Sequence, residues 1–258
     1  REIIVRGARA GRALAHWFSS SEGQEAVVEA EFRPAGAREL EGVGMGQSKV
    51  LSRVPPKLTD EALRNWRVTS VPSSLLAVMD LSASMRNPIG DTTRIKMATD
   101  AAYVALDVLP DHARVGSWGF SKKRGKGGRS WQEMMPLTRL DEDVNGTPFR
   151  ELLRADTLKL PSRVRGGTGV LDTLLAAYTF AQEQWDPAYF NAVVVFTDGA
   201  SDDTSNLTIN RLLENLRTAR DPSRPVKVVI IGISEDADTP EMQQIADATG
   251  GQYFLVTK

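Results

Sequence analysis

Ser74-Leu75-Leu76-Ala77-Val78-Met79-Asp80-Leu81-Ser82-Ala83-Ser84 decides the reading of this chain. The apolar run from Leu75 to Met79 has no polar alternation, as expected of a strand buried on both faces. It ends in an acid and two hydroxyls at alternate positions. Extended backbone turns successive side chains to opposite faces, so Asp80, Ser82 and Ser84 can converge on one side where the chain leaves the sheet. A carboxylate with hydroxyl oxygens suits a hard cation such as Mg²⁺. Two further segments carry the same chemistry. Gly166-Gly167-Thr168-Gly169 places a hydroxyl on a loop that opens a helix, and Asn191-Ala192-Val193-Val194-Val195-Phe196-Thr197-Asp198-Gly199 ends a second apolar strand in an acid.

Around these segments strands and helices alternate. After the strand 75–80, a helix is expected over 93–109, carrying Ile95, Met97, Ala98, Ala102 and Val108. Strands over 114–121 and 131–137 flank a Gly- and Lys-rich turn and pair as a hairpin. Helices follow over 148–155 and 170–185, then strand 192–197, helix 208–219, strand 226–233, helix 240–249 and strand 252–256. This alternation predicts an α/β fold with a mainly parallel sheet, one antiparallel edge strand and helices on both faces. Open sheets of this kind bind ligands at the carboxyl ends of their strands, near a topological switch point. Asp80 and Asp198 both lie at such ends.

The set D-x-S-x-S, distal Thr and distal Asp resembles the von Willebrand factor A family with its metal-ion-dependent adhesion site. Five residues carry the resemblance: Asp80, Ser82, Ser84, Thr168 and Asp198. It implies a Rossmann-like, doubly wound fold over residues 74–258. It also implies that Ser82 and Ser84 bind Mg²⁺ (or Mn²⁺, with Ca²⁺ as a further candidate) directly. Thr168 would bind directly or through water, and Asp80 and Asp198 through bridging waters. Neutral hydroxyls leave most of the cation's charge uncompensated, and Mg²⁺ exchanges a water for an outside oxygen. The implied partner is therefore a protein or glycan that supplies a carboxylate. Asp202 and Asp203 are read as solvated loop acids, and Met85 as packing.

The opening of the chain carries a second resemblance. Trp17-Phe18-Ser19-Ser20-Ser21-Glu22-Gly23-Gln24, followed by Phe32-Arg33-Pro34, is similar to the closing helices of bacterial solute-binding proteins. Read locally, the same residues are a capped amphipathic helix pair after a short strand at 2–5, with Ser21 and Gln24 as a capping box. The expected organisation is a helical segment 1–36, a Gly- and Pro-rich linker 37–73 with a short helix at 59–66, and the α/β domain 74–258. A chain joining the two kinds of domain is expected at the cell surface or outside the cell, with its signal and any membrane anchor beyond these residues.

Composition narrows the alternatives. Of 258 residues 41% are hydrophobic and 25% charged, enough to bury a full core. Lys and Arg number 32 against 33 Asp and Glu, a net charge of −1 that gives no global pull towards nucleic acid. With 0 cysteines, disulfides, thiolate zinc sites and cysteine nucleophiles are excluded. Enzymatic activity is not expected. The D-x-D pair of haloacid-dehalogenase-type phosphotransferases is broken by Ser82, and no P-loop, G-x-S-x-G or H-E-x-x-H pattern occurs. An intracellular assembly module of the metal-chelatase kind is the alternative. In that setting the basic turn Lys122-Lys123-Arg124-Gly125-Lys126-Gly127-Gly128-Arg129 would gain importance over its plain reading as a solvated edge-protecting turn.

Overall fold

Strand β1 (Ser73–Asp80) sits near the centre of a six-stranded sheet, where its apolar run meets neighbours on both sides. The structure is a computed structural model that describes Gly11, residues 13–30, Phe32, Pro55, Leu58 and residues 71–199, 207–237 and 240–257. Two short strands, β2 (Pro88–Ile89) and β3 (Thr92–Thr93), form a small hairpin ahead of helix α2 (Arg94–Val108). Thr93 caps that helix, its hydroxyl accepting the Lys96 N–H. Then come β4 (Arg114–Phe120), β5 (Trp131–Arg139), a second small hairpin of β6 (Asp143–Val144) and β7 (Thr147–Pro148), and helices α3 (Phe149–Thr157) and α4 (Val170–Glu183). The chain continues through β8 (Phe190–Thr197), α5 (Ile209–Ala219), β9 (Lys227–Ile233), α6 (Pro240–Thr249) and β10 (Gln252–Val256).

The main sheet runs β10-β9-β8-β1-β4-β5, parallel throughout except for β5, which pairs antiparallel with β4 at the edge. The expected class is therefore observed. After β1 the chain builds outward through β4 and β5, then crosses back to β8 on the other side. The switch point thus falls between the carboxyl ends of β1 and β8, where their register pairs Met79 with Phe196. Asp80 and Thr197 arrive there level with each other.

Alternate residues of each strand feed two apolar layers. Leu76, Val78, Val193, Val195, Val228 and Ile230 pack against Leu174, Ala177, Leu212, Leu216 and Ile245 of α4, α5 and α6. On the opposite face Met79 and Phe196 meet Ile95 and Ala98 of α2, and Val115 meets Leu106 of α2 and Leu153 of α3. Trp118 stacks on Trp131 with centroids 3.9 Å apart, fixing β4 to the edge strand beside α4. Trp118 is buried, while Trp131 and Trp185 are half-buried against the same layer.

The chain divides into two compact units, residues 1–63 and 64–258. In the first, residues 13–18 are helical, and helix α1 spans Ser21–Glu29. Its cap is Ser20, not Ser21. Ser20 has extended backbone (φ −79°, ψ 161°) and accepts the Gly23 N–H at 3.2 Å, whereas Ser21 is already helical. The Gln24 side chain donates to the Phe18 carbonyl instead of closing a capping box. The strand expected at 2–5, the linker helix at 59–66, and Asp202 and Asp203 lie outside the described residues. No helix among the described residues is long and apolar enough to cross a membrane.

Candidate metal centre

Asp80 ends β1 with no solvent exposure, and its two carboxylate oxygens have separate tasks. Oδ1 accepts the Ser82 N–H at 2.8 Å, which turns the chain back over the sheet edge. Oδ2 accepts the Thr197 hydroxyl at 2.7 Å and ties β1 to β8. The bend delivers Ser82 into a single 3-10 turn, Ala83–Arg86, seated on fully buried Met85. Ser82 Oγ and Ser84 Oγ end 3.0 Å apart. Adjacent ligands of an octahedral Mg²⁺ with bonds near 2.0–2.1 Å are separated by about 2.9 Å. The two hydroxyls are therefore spaced as neighbouring corners of such a shell.

The loop bearing Thr168 is stitched to this turn through its backbone. Arg165 N–H donates to Leu81 O at 2.7 Å, and Ala83 N–H donates to Gly166 O at 2.8 Å. Thr168 itself is 4% exposed and stands just before Gly169, the N-cap of α4. Gly169 is required by contact: a Cβ there would lie 2.4 Å from Ser130 Cβ and Oγ. The base of the β4–β5 turn rests directly on this loop.

Asp198 follows β8 and is fully buried. Its Oδ2 accepts from Arg94 Nη1 at 2.8 Å, and the other arm of that guanidinium reaches Asp236. Gly199 takes the left-handed conformation, φ +70°, with Ala237 Cα only 2.6 Å from where a Cβ would stand. The β8 and β9 loops therefore close tightly around the ion pair.

Burial pushes the Asp80 carboxyl up to about 7, and the charge of Asp198 adds to that rise, while hydrogen bonds from Ser82 and Thr197 oppose it. Two acids are thus held close in a dry site and Arg94 compensates one of them. Among the described residues no group of three or more His, Cys, Asp or Glu converges, here or elsewhere, so hydroxyl oxygens make up the rest of this site. The site's donors are hydroxyl and carboxylate oxygens, a set that fits a hard divalent cation. All five residues expected from sequence stand at the carboxyl edge of β1 and β8 or on the loop bonded to it. Sequence reading missed Thr197 and Arg94. A threonine one residue before a strand-ending acid was a usable signal for the first.

The profile of the von Willebrand factor type A domain matches residues 73–255. The chain belongs to that family. Among curated relatives of this von Willebrand A chain are uncharacterised proteins from two strains of Mycobacterium tuberculosis, each 28% identical over 181 residues, or 70% of this chain. The chain spans about a quarter (26%) of the length of those relatives. Among solved structures, a von Willebrand factor type A protein from Catenulispora acidiphila superposes with a TM-score of 0.56 at 21% identity, covering 72% of this chain and 39% of that one. The pilus adhesin SpaC of Lactobacillus rhamnosus GG gives 0.51 at 18% identity, covering 72% and 28%. An aerotolerance-related membrane protein of Bacteroides fragilis gives 0.51 at 17%, covering 72% and 92%. These likenesses are of fold.

Proposed function

We propose that the von Willebrand A domain of this chain is a metal-dependent binding module. It holds Mg²⁺ or Mn²⁺ through Ser82, Ser84 and Thr168, with Asp80 and Asp198 behind them, and offers the cation to a carboxylate of a protein or glycan partner. The observation that carries this reading is the Ser82–Ser84 hydroxyl pair, 3.0 Å apart and anchored by the buried Asp80. The chemistry is binding rather than catalysis, because position 82 supplies a hydroxyl where a phosphotransferase of the D-x-D kind needs an acid. The fold shared with a pilus adhesin and the solute-binding-like opening at Trp17–Gln24 support a place in an exported, surface-attached protein.

Thermal unfolding in EDTA, Mg²⁺, Mn²⁺ and Ca²⁺ tests the reading. A cation at a hundred times its Kd stabilises the native state by about 2.7 kcal/mol, or about 5–10 °C in Tm for a domain of this size. Wild type is expected to show such a rise with Mg²⁺ or Mn²⁺, and Asp198→Ala and Ser84→Ala are expected to lose it. A wild-type Tm unmoved by any of the three ions removes the proposal.

A further inference from the structure

The turn between β4 and β5 is the most basic stretch of the chain, and its position gives that charge a use. From Ser121 to Ser130 there are five cations and no acid. The turn does not hang free at the sheet edge. Lys122 N–H donates to Gly167 O at 2.7 Å, and Arg124 Nη2 donates to Arg163 O at 2.9 Å. Ser130 packs on Gly169. The turn is therefore built onto the loop that carries Thr168, beside the candidate cation.

Lys122, Lys123, Lys126, Arg129 and Arg165 are all exposed. Among the described residues none of them forms an ion pair, although Arg94, Lys96, Arg114, Arg139, Arg150, Arg154, Arg163 and Arg224 all do. Arg129 lies over the Trp131 ring, 5.1 Å from its centroid. The nearest acid along the hairpin, Glu133, is exposed on β5 and unpaired. Burial above all pushes the Arg124 guanidinium down, and the neighbouring charges of Arg165 and Arg163 add to that fall. Exposed cations without acid partners, set side by side on one turn, favour an incoming anion.

We propose that this basic rim is the second half of the ligand surface and that it binds an acidic segment of a protein partner. One carboxylate would meet the cation, so the inference rests on the proposed metal site, and further carboxylates would meet Lys122, Lys123, Lys126 and Arg165. A locally acidic peptide fits better than a long nucleic acid, because the rim changes sign across the site. Glu235 and Asp236 are exposed acids on the Asp198 side, the second reached by Arg94, and they disfavour a uniformly charged polyanion.

The probe is fluorescein-labelled decaglutamate, followed by anisotropy on the full chain in Mg²⁺ and in EDTA. The proteins are wild type, Ser84→Ala and the triple variant Lys122→Glu, Lys123→Glu, Lys126→Glu. The triple variant is expected to bind at least tenfold more weakly while its Tm and its Mg²⁺-induced Tm rise stay as in wild type. Undiminished binding by that variant overturns the proposal, as does no binding by wild type. Tighter binding of wild type to a ten-nucleotide oligothymidylate than to decaglutamate also overturns it, in favour of a nucleic acid. Binding that is indifferent to EDTA and to Ser84→Ala, yet lost in the triple variant, upholds the rim and refutes the cation reading alone.

Discussion

Arg94→Met destabilises the protein by about 3–5 kcal/mol in EDTA, the cost expected when one partner of a buried ion pair is removed. Arg94 is 7% exposed and its guanidinium stands 2.8 Å from the carboxylate of Asp198, which has no exposure at all. Methionine matches the length of the side chain but takes the guanidinium away from Asp198, next to Asp80. The second arm contributes little, because the Asp236 side chain is 64% exposed and water competes for it. Asp236→Asn is accordingly expected to cost less than about 1 kcal/mol by the same reasoning. Under the proposed cation site, Mg²⁺ restores part of what Arg94→Met loses, since it supplies positive charge at the same acids. Urea unfolding of the two variants, with EDTA and with Mg²⁺, measures all of this. Arg94→Met as stable as wild type in EDTA would show that Asp198 does not depend on the guanidinium.

In EDTA the stability contributed by Asp80 falls as pH rises. Burial, seconded by Asp198, lifts its carboxyl from the ordinary 3.8 to about 7. Between those two values the native protein keeps a proton that the unfolded chain has released. The native state therefore binds more protons there, and stability drops with increasing pH by up to about 1.4 kcal/mol per unit. Below 3.8 the contribution is flat, and above about 7 it is flat again at its least favourable value. Under the proposed cation site, a divalent cation is expected to reverse the trend, because it would bind the ionised form and so gain affinity as pH climbs towards 7. Unfolding at pH 5, 6, 7 and 8 is expected to show a falling limb in wild type with EDTA that Asp80→Asn lacks. Identical pH profiles for the two proteins would mean that Asp80 ionises at its ordinary value.

The sheet was legible because its strands are buried on both faces and therefore read as unbroken apolar runs, Leu75–Met79 and Ala192–Phe196 above all. The acids closing those runs marked the carboxyl edge, and the edge marked the site. What escaped was either too short or too distant. The hairpins at Pro88–Thr93 and Asp143–Pro148 contribute two residues per strand, too few to set up a period. The second nevertheless carries an Asn145-Gly146 turn with both residues at positive φ, 55° and 84°, a signal that was there to be used. Arg94 reads as an ordinary first residue of a helix. Nothing local announces that its guanidinium reaches an acid 104 positions away. The docking of the basic turn on the Thr168 loop is non-local in the same way, since it depends on Gly169 admitting Ser130.

Manganese binding, read by electron paramagnetic resonance on the full chain, tests the metal site most directly. Free Mn²⁺ gives a sharp signal that is lost on coordination, so a titration counts sites without any partner present. One site is expected in wild type, displaced by Mg²⁺ and abolished in both Ser82→Ala and Asp80→Ala, each of which stays folded. Full Mn²⁺ binding in Ser82→Ala, or none in wild type, would contradict the proposed site.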